Sequence, residues 1–220
     1  MAAALPEALR LVDRLVAKGV IRSTAVKRAF QTVPRHLFVP DVPIWRAYED
    51  EVVPLKWRGQ ELISSLSQPA IMAEMLELLE LEPGLRVLEI GTGSGYDAAL
   101  ISEMVGQVGA VTSVEIDDEV AAAARTHLAS AGFDSVHVIT GDGFEGWADA
   151  APYDRIIVTA AVRAIPPAWV EQMAPGAQLV APLEESTGQY VVAFDLVNGH
   201  PTPRRAVPCI FMPMRHPDAR

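Results

Sequence analysis

Short apolar runs alternate with amphipathic stretches from residue 85 onward. Runs rich in branched aliphatic residues predict buried strands at 86–90, 110–115, 135–140, 154–160 and 177–182. Between them, apolar positions at helical spacing predict helices over 97–105, 118–131 and 167–173. Strands that alternate with helices form a mostly parallel sheet covered on both faces. The pattern therefore predicts a doubly wound α/β fold for this part of the chain.

The residues before this part follow a different pattern. Apolar residues share one helical face over 4–18, and Ser23 has the position of an N-cap for a second helix that Pro34 ends. Residues 34–66 contain repeated prolines and no clear period, so they are expected to be irregular. An N-terminal helical extension is thus predicted in front of the α/β core.

Two further segments frame the core. Ser67-Gln68-Pro69 is expected to open a helix that ends near Leu81, with the serine as N-cap and the proline in the first turn, where its missing N–H costs nothing. Near the C-terminus, 189–197 and 205–212 each predict a strand, and Asn198-Gly199 between them is a hairpin-type turn signal. The prolines after this turn favour a wider connection. The sheet is therefore expected to end in antiparallel strands.

Length and composition predict one domain over residues 1–220. Half of the 220 residues are apolar, which is enough for a full core. We divide this domain into an N-terminal helical part, residues 1–82, and an α/β core, residues 83–220.

Charge and cysteine content narrow the function classes. The net charge is −10 and no dense run of Lys and Arg occurs, which disfavours a nucleic-acid partner. No uncharged apolar stretch reaches about 18 residues, so no membrane span is predicted. Residues Met1–Val12 carry charges that are not typical of a signal peptide, and Cys209 is the single cysteine, so an internal disulfide is not expected. These features favour a reducing cytoplasm.

The most informative segment is 86–97, where the first predicted core strand runs into a glycine-rich turn. Gly91, Gly93 and Gly95 occupy alternate positions, and a helical stretch follows them. Glycine lacks the Cβ that would block a ligand, and it tolerates positive φ. Strand, glycine turn and helix in this order let a nucleotide-like ligand approach the backbone.

Details of this turn restrict the ligand. A dinucleotide fingerprint needs Gly or Ala at the sixth position, where this chain has Tyr96. The Gly-Lys signature of a triphosphate-binding loop is absent, and no G-x-S-x-G segment provides a hydrolase nucleophile. The five histidines do not pair at metal-ligand spacing, so no metal site is predicted. What remains fits S-adenosylmethionine, which has an adenosine but no phosphate.

Acidic and small residues stand at the predicted strand ends, where an open α/β sheet binds its ligand. Glu115 ends the second core strand and is placed to accept both ribose hydroxyls, and Asp142 follows the third and is placed to accept from the adenine amino group. Either acid is also explained as an ordinary strand-end or turn residue. The predicted cofactor site consists of Glu89, Gly91, Thr92, Gly93, Ser94, Gly95, Glu115, Ile116, Gly141, Asp142, Gly143 and Thr159.

Several segments together resemble the protein-L-isoaspartate O-methyltransferase family. Many methyltransferases share the glycine turn, but Ser67-Gln68-Pro69 and Thr159-Ala160-Ala161 are far more specific to this family. Val33–Pro40 and Gly141-Asp142-Gly143 also match. The resemblance covers roughly residues 20–185.

This resemblance implies a Rossmann-like methyltransferase fold and methyl transfer from S-adenosylmethionine to a protein or peptide carboxylate, isoaspartyl or aspartyl. In the repair enzymes of the family, the α-carboxylate of an L-isoaspartyl residue is esterified, and the ester cyclises to a succinimide that hydrolyses partly to aspartate. The family's active-site serine corresponds to Ser67, and residues 1–82 would bind the acceptor. A carboxylate is already nucleophilic at neutral pH, so the enzyme need only align it.

One segment departs from the family pattern. The repair enzymes have a short Gly-Gln-Thr-Ile-Ser segment, whereas here six residues separate Gly59-Gln60 from Ser67. Ser64, Ser65 and Ser67 are therefore all candidate catalytic residues, on a longer loop expected to lie over the acceptor pocket. Such a loop resembles family members that methylate an ordinary aspartate of a biosynthetic peptide. Those members usually carry an extra C-terminal domain, which does not fit in 220 residues, so isoaspartate is the expected acceptor.

Two other functions stay open on the sequence. One is the same chemistry on another carboxyl acceptor, and the other is a protein that binds S-adenosylmethionine without catalysis. Hydride transfer is disfavoured by Tyr96.

Overall fold

The computed structural model describes residues 5–216, so residue 4 of the first predicted helix and both ends of the predicted domain lie outside the described residues. The helices are α1 (Pro6–Ala17), α2 (Thr24–Thr32), α3 (Ile44–Ala47), α4 (Pro69–Leu79), α5 (Tyr96–Val105), α6 (Asp118–Ser130) and α7 (Pro167–Glu171). The strands are β1 (Val53–Arg58), β2 (Glu61–Leu66), β3 (Arg86–Ile90), β4 (Ala110–Glu115), β5 (His137–Thr140), β6 (Tyr153–Val158), β7 (Met173–Glu185), β8 (Gly188–Val197) and β9 (His200–Cys209).

The larger sheet in this part of the chain has the strand order β5-β4-β3-β6-β7-β8-β9. Strands β3 to β7 run parallel to one another, and β8 and β9 are antiparallel to their neighbours. The chain winds outward from β3 in both directions, which places the switch in strand order beside the glycine turn. The predicted doubly wound, mostly parallel sheet with antiparallel C-terminal strands and N-terminal helices is confirmed.

Alternate residues of the central strand pack on opposite faces of the sheet. Val87 belongs to an apolar cluster with α2, α4 and α5, whereas Leu88 and Ile90 belong to a second cluster around Trp169. Both faces are therefore buried, which explains why the successive residues Val87 and Leu88 are both apolar although they point to opposite faces. Within residues 5–216, no helix combines the length and apolar character needed to cross a membrane.

The start of α2 follows its sequence signal. The Ser23 side chain accepts a hydrogen bond from the backbone N–H of Val26 at 3.2 Å, as its predicted N-cap role requires.

Gln68, not Ser67, is the N-cap residue of α4, and no side chain caps that end. The prediction of Ser67 as N-cap is therefore wrong, because α4 begins at Pro69 and Gln68 stands between Ser67 and the helix.

The segment 34–66 is more regular than predicted. Its second half forms an antiparallel hairpin of β1 and β2, with Gly59 and Gln60 at the turn. The pairing contains bulges between Pro54 and Trp57, which is why no clean alternation marks these strands in the sequence.

The C-terminal hairpin is tighter than predicted. Strand β9 begins at His200, directly after Asn198-Gly199, so the expected wider connection is wrong. Strand β9 lies at the edge of the sheet, where prolines cost little because one side of the strand needs no hydrogen-bond donors. Strand β7 is also longer than the predicted 177–182, because β8 pairs with it as far as Glu185.

Truncating a core side chain of β3 should destabilise the whole domain. We expect Leu88→Ala, at a fully buried position, to lower the free energy of unfolding by about 2–5 kcal/mol, since it leaves a cavity in the core. Val108→Ala is the matched control, because Val108 is 81% exposed and its truncation should cost less than about 0.5 kcal/mol. Urea denaturation measures both, and equal losses would contradict this packing.

Candidate active site

A cavity of about 950 Å³ opens at the carboxyl ends of β3, β4 and β6. The end of β2 and the segment 208–215 form its other walls. Its volume lies in the range of cofactor sites. The predicted residues that line it are Ser64, Ser65, Ser67, Gly91, Thr92, Gly93, Ser94, Glu115, Ile116, Gly143 and Thr159. The predicted residues outside its lining are Glu89, Gly95, Gly141 and Asp142.

The glycine turn begins at the end of β3, beside Thr159, which directly follows β6. Gly91 has φ +98°, and a Cβ built on it would overlap the hydroxyl oxygen of Thr159. That hydroxyl donates a hydrogen bond to the Gly91 carbonyl at 2.7 Å, and the Thr159 N–H donates to the Ile90 carbonyl at 2.9 Å. Glycine is therefore required at residue 91 by both its backbone angle and the space left for it.

Tyr96 takes the position where a dinucleotide fingerprint has a small residue. Its ring is 1% exposed and makes edge contacts with Phe30 and Phe38, with centroids 6.2 and 5.4 Å apart. The guanidinium of Arg35 lies 5.0 Å from the ring centroid. The start of α5 thus packs against the N-terminal helices through a large aromatic residue, which a dinucleotide-binding turn does not allow.

Glu115 at the end of β4 is held by backbone donors. Its carboxylate accepts hydrogen bonds from the N–H of Gly93 at 3.0 Å and of Asp117 at 3.1 Å. Burial raises the pKa of Glu115, and these two N–H groups oppose that rise. Lys56 on β1 binds Asp117 with N–O distances of 2.7 and 2.9 Å, so the N-terminal hairpin is fastened beside Glu115.

Glu89 lies behind the glycine turn and is fully buried. It stands opposite Ser113 in the β3–β4 register, and the Ser113 hydroxyl donates to its Oε2. Ser113 is also linked to Thr92 in the turn, with 2.6 Å between the two hydroxyl oxygens. Hydrogen bonds therefore link Glu89 to the glycine turn through Ser113 and Thr92.

The loop after β5 approaches the cavity through backbone atoms. Asp142 accepts a hydrogen bond from the Phe144 N–H at 2.9 Å and caps a short 3₁₀ turn. Trp169 on α7 donates from its indole nitrogen to the Gly143 carbonyl at 2.7 Å. A Cβ on Gly143 would lie 2.6 Å from Ile90 and from Met214, so only glycine fits there.

The three candidate serines lie along the end of β2 and the link to α4. Ser64 is 6% exposed, and Ser65 and Ser67 are half-buried at the cavity. The guanidinium of Arg35 donates to the Ser67 carbonyl at 2.9 Å and to the Ala47 carbonyl at 2.8 Å, which fixes the backbone at this point.

The first turn of α4 is less open to an anion than the sequence indicates. Pro69 has no N–H, and the N–H of Ala70 donates to the Asp50 carboxylate at 2.9 Å. This wall therefore offers an anion the serine hydroxyls more than the helix N-terminus.

Sequence reasoning missed two parts of the site. The segment 208–215 closes one wall, and its Met212 and Met214 exchange backbone hydrogen bonds with Ala161 after β6, each of 2.8 Å. His216 beyond it stacks on Phe144 with ring centroids 4.1 Å apart. These contacts join residues far apart in sequence, so no local motif predicts them.

The second part that sequence reasoning missed consists of Asp97, which lines the cavity, and Arg35, which donates to the Ser67 carbonyl.

The cavity fits S-adenosylmethionine on its own chemistry. Gly91 and Gly143 bring the backbone to the cavity at positions where a Cβ would clash with neighbouring protein atoms, and the cavity contains the buried carboxylates of Glu115 and Asp97. Buried carboxylates suit a ligand with ribose hydroxyls and a positive charge. No group of His, Cys, Asp or Glu among residues 5–216 has the arrangement of a metal site. These features define a class of protein, the methyltransferases that use S-adenosylmethionine.

Comparison with known proteins narrows this class. The family model of protein-L-isoaspartate(D-aspartate) O-methyltransferase matches residues 7–218, and the chain belongs to that family. A protein-L-isoaspartate O-methyltransferase of Hyperthermus butylicus is 44% identical over 214 residues, which cover 93% of this chain and 87% of that protein. One of Pyrococcus horikoshii is 46% identical over 174 residues, which cover 79% of this chain and 76% of that protein.

Solved structures agree with the family. A protein-L-isoaspartate O-methyltransferase structure superimposes with a TM-score of 0.87 at 31% identity, and the match covers 96% of this chain and 66% of that chain. A Plasmodium falciparum structure in complex with S-adenosyl-L-homocysteine has a TM-score of 0.81 at 20% identity, which supports the fold.

Adding a methyl group at Gly91 should weaken cofactor binding. We expect Gly91→Ala to weaken binding of S-adenosylhomocysteine by at least about tenfold, because the new Cβ displaces Thr159 and the turn with it. Isothermal titration calorimetry measures the affinity.

Gly132→Ala is the matched control for this variant. Gly132 also has positive φ, +82°, but a Cβ there meets nothing within 4 Å. Both variants therefore share the backbone strain of an alanine at positive φ, and only Gly91→Ala adds a clash with Thr159. Equal affinity of the two would show that the space at Gly91 is irrelevant to the ligand.

Proposed function

We propose that this chain is a carboxyl methyltransferase that esterifies the α-carboxylate of L-isoaspartyl residues in proteins or peptides. The observation that carries the proposal is the position of Ser64, Ser65 and Ser67 on the same cavity as the glycine turn. Membership of the protein-L-isoaspartate(D-aspartate) O-methyltransferase family supports the acceptor. The methyl ester then cyclises to a succinimide, which begins repair of the residue. The single cysteine supports a cytoplasmic setting.

Cofactor contacts follow from the arrangement of the strand ends. Glu115, between Gly93 and Asp117, would accept the ribose hydroxyls, and the backbone around Gly143 would border the adenine. When bound, S-adenosylmethionine supplies an electrophilic methyl group on a sulfonium. The apolar walls, which include Ile71, Met72 and Phe211, would keep water from the reacting carboxylate.

The chain's own contribution is to orient the acceptor. Among the described lining residues there is no histidine or lysine, and the charged ones are Asp97, Glu115 and Arg215. That set suits a nucleophile that arrives already ionised and needs no general base. Ser67 would donate its hydroxyl to the acceptor carboxylate, with its backbone fixed by Arg35.

A second acceptor is favoured by one specific feature, the extended β1–β2 hairpin. It lengthens the segment before Ser67 and exposes Trp57, which is 56% accessible at the tip region. A peptide that carries an ordinary aspartate is the alternative acceptor that such an extended edge would suit. A matched pair of peptides separates the two.

Methyl transfer to two peptides that differ only in L-isoaspartate or L-aspartate tests the acceptor. With labelled S-adenosylmethionine, we expect base-labile methyl ester on the isoaspartyl peptide alone. Ester on the aspartyl peptide alone would move the function to the alternative acceptor. Labelling of neither peptide, while calorimetry shows bound S-adenosylhomocysteine, would contradict both and favour a non-catalytic binding protein.

Ser67→Ala should lower turnover of the isoaspartyl peptide. We expect about 10- to 100-fold lower kcat because a hydrogen bond to a charged oxygen is lost, with the affinity for S-adenosylhomocysteine nearly unchanged. Ser64→Ala and Ser65→Ala are the matched controls on the same wall, and each should keep most of the turnover. Steady-state kinetics measures all three, and a larger loss in either control would transfer the role to that serine.

A further inference from the structure

The cavity contains an acidic residue to which the proposed chemistry gives no role. Asp97 stands in the first turn of α5 and lines the cavity, although it is only 7% exposed. Its Oδ1 is buried and accepts no hydrogen bond. An unpartnered carboxylate oxygen in such a place costs free energy unless a cation or donor arrives with a ligand.

The nearby charges do not satisfy Asp97. Arg35 is fully buried, but its donors point to the carbonyls of Ala47 and Ser67 and to the sulfur of Met72. Glu89 behind the turn adds a second acid with an unpartnered oxygen, Oε1. Burial raises the pKa of Asp97 to about 7, and burial and then the charge of Asp97 raise the pKa of Glu89. A positive group beside Asp97 would relieve this repulsion.

Asp97 also differs from the other acid of the cavity. Glu115 already accepts backbone hydrogen bonds from two N–H groups and faces Arg215. The charge of Arg35 acts on Asp97 and opposes the rise of its pKa on burial, and the same guanidinium donates to the Ser67 carbonyl. The acid that lacks a partner is thus linked through Arg35 to the segment that carries the candidate catalytic serine.

We propose that Asp97 binds the α-ammonium group of the methionine end of S-adenosylmethionine. An ammonium brings both the positive charge and the N–H donors that Oδ1 lacks, whereas a sulfonium brings charge alone. Glu115 and Asp97 line the same cavity, so Glu115 would hold the ribose and Asp97 would hold the ammonium of the methionine end. The inference rests on the cofactor of the proposed function and adds a contact that orders its reactive end.

A purely structural role for Asp97, as a stabiliser of the start of α5, makes a different prediction. An acidic side chain in the first turn of a helix is stabilised by the helix dipole whatever the ligand. Replacement would then change the stability of the domain, and it would change the affinity for every ligand of the cavity by one common factor.

A double-mutant cycle with two ligands separates these roles. The probes are S-adenosylhomocysteine and its deamino analogue, in which hydrogen replaces the α-ammonium while the thioether and carboxylate remain. Calorimetry should show that the wild-type chain binds S-adenosylhomocysteine at least about tenfold more tightly than the analogue. In Asp97→Asn, and in Asp97→Ala as a second variant, this ratio should fall to within about twofold, with the analogue bound as well as by the wild type.

Glu74→Gln is the matched control, since Glu74 is also a buried acid, 9% exposed, but lies on α4 outside the cavity lining and pairs with Arg22. It should leave the ratio between the two ligands unchanged. A ratio that persists in the Asp97 variants, or that collapses equally in Glu74→Gln, overturns the proposal. Failure of the wild type to bind S-adenosylhomocysteine at all would instead overturn the proposed function.

Discussion

The close approach of β3 and β6 at Gly91 and Thr159 is the constraint on which the site depends. The Thr159 hydroxyl occupies the space of the missing Gly91 side chain and bonds to the Gly91 carbonyl at 2.7 Å. This contact opens the backbone toward the cavity, and it sits at the switch in strand order, where a doubly wound sheet leaves a crevice. The turn, the cavity and the start of α5 all follow from this one junction.

Buried charge is concentrated around that junction at a cost in stability. Arg35, Glu89 and Asp97 lie within the same packed region, and the pKa of Arg35 is lowered to about 10 by its burial. Arg35 connects three separate segments, because it bonds to the carbonyls of Ala47 and Ser67 and lies over the Tyr96 ring. The N-terminal extension therefore holds the wall that carries Ser67 in place relative to the glycine turn. A folded domain tolerates the free-energy cost of buried charged groups where those groups are arranged for a ligand.

The walls of the cavity come from distant parts of the chain. Lys56 binds Asp117 next to Glu115, which fastens the β1–β2 hairpin to the end of β4. The segment 208–215 closes the opposite wall through its bonds to Ala161. Membership of the protein-L-isoaspartate(D-aspartate) O-methyltransferase family is compatible with a longer hairpin, because Ser64, Ser65 and Ser67 still line the cavity.

The sequence by itself determined the alternation of strands and helices, the glycine turn and the family. Those features are local, since periodicity and a turn of three glycines are set by neighbouring residues. The tertiary structure decided that β1 and β2 pair, that β9 follows a tight turn, and that Asp97 and segment 208–215 reach the cavity. A bulged hairpin and a proline-containing edge strand gain their order from partners, so no local period reveals them. Whether an acid in a first helical turn caps a helix or faces a cofactor depends on what is packed around it, and only the folded chain brings those groups together.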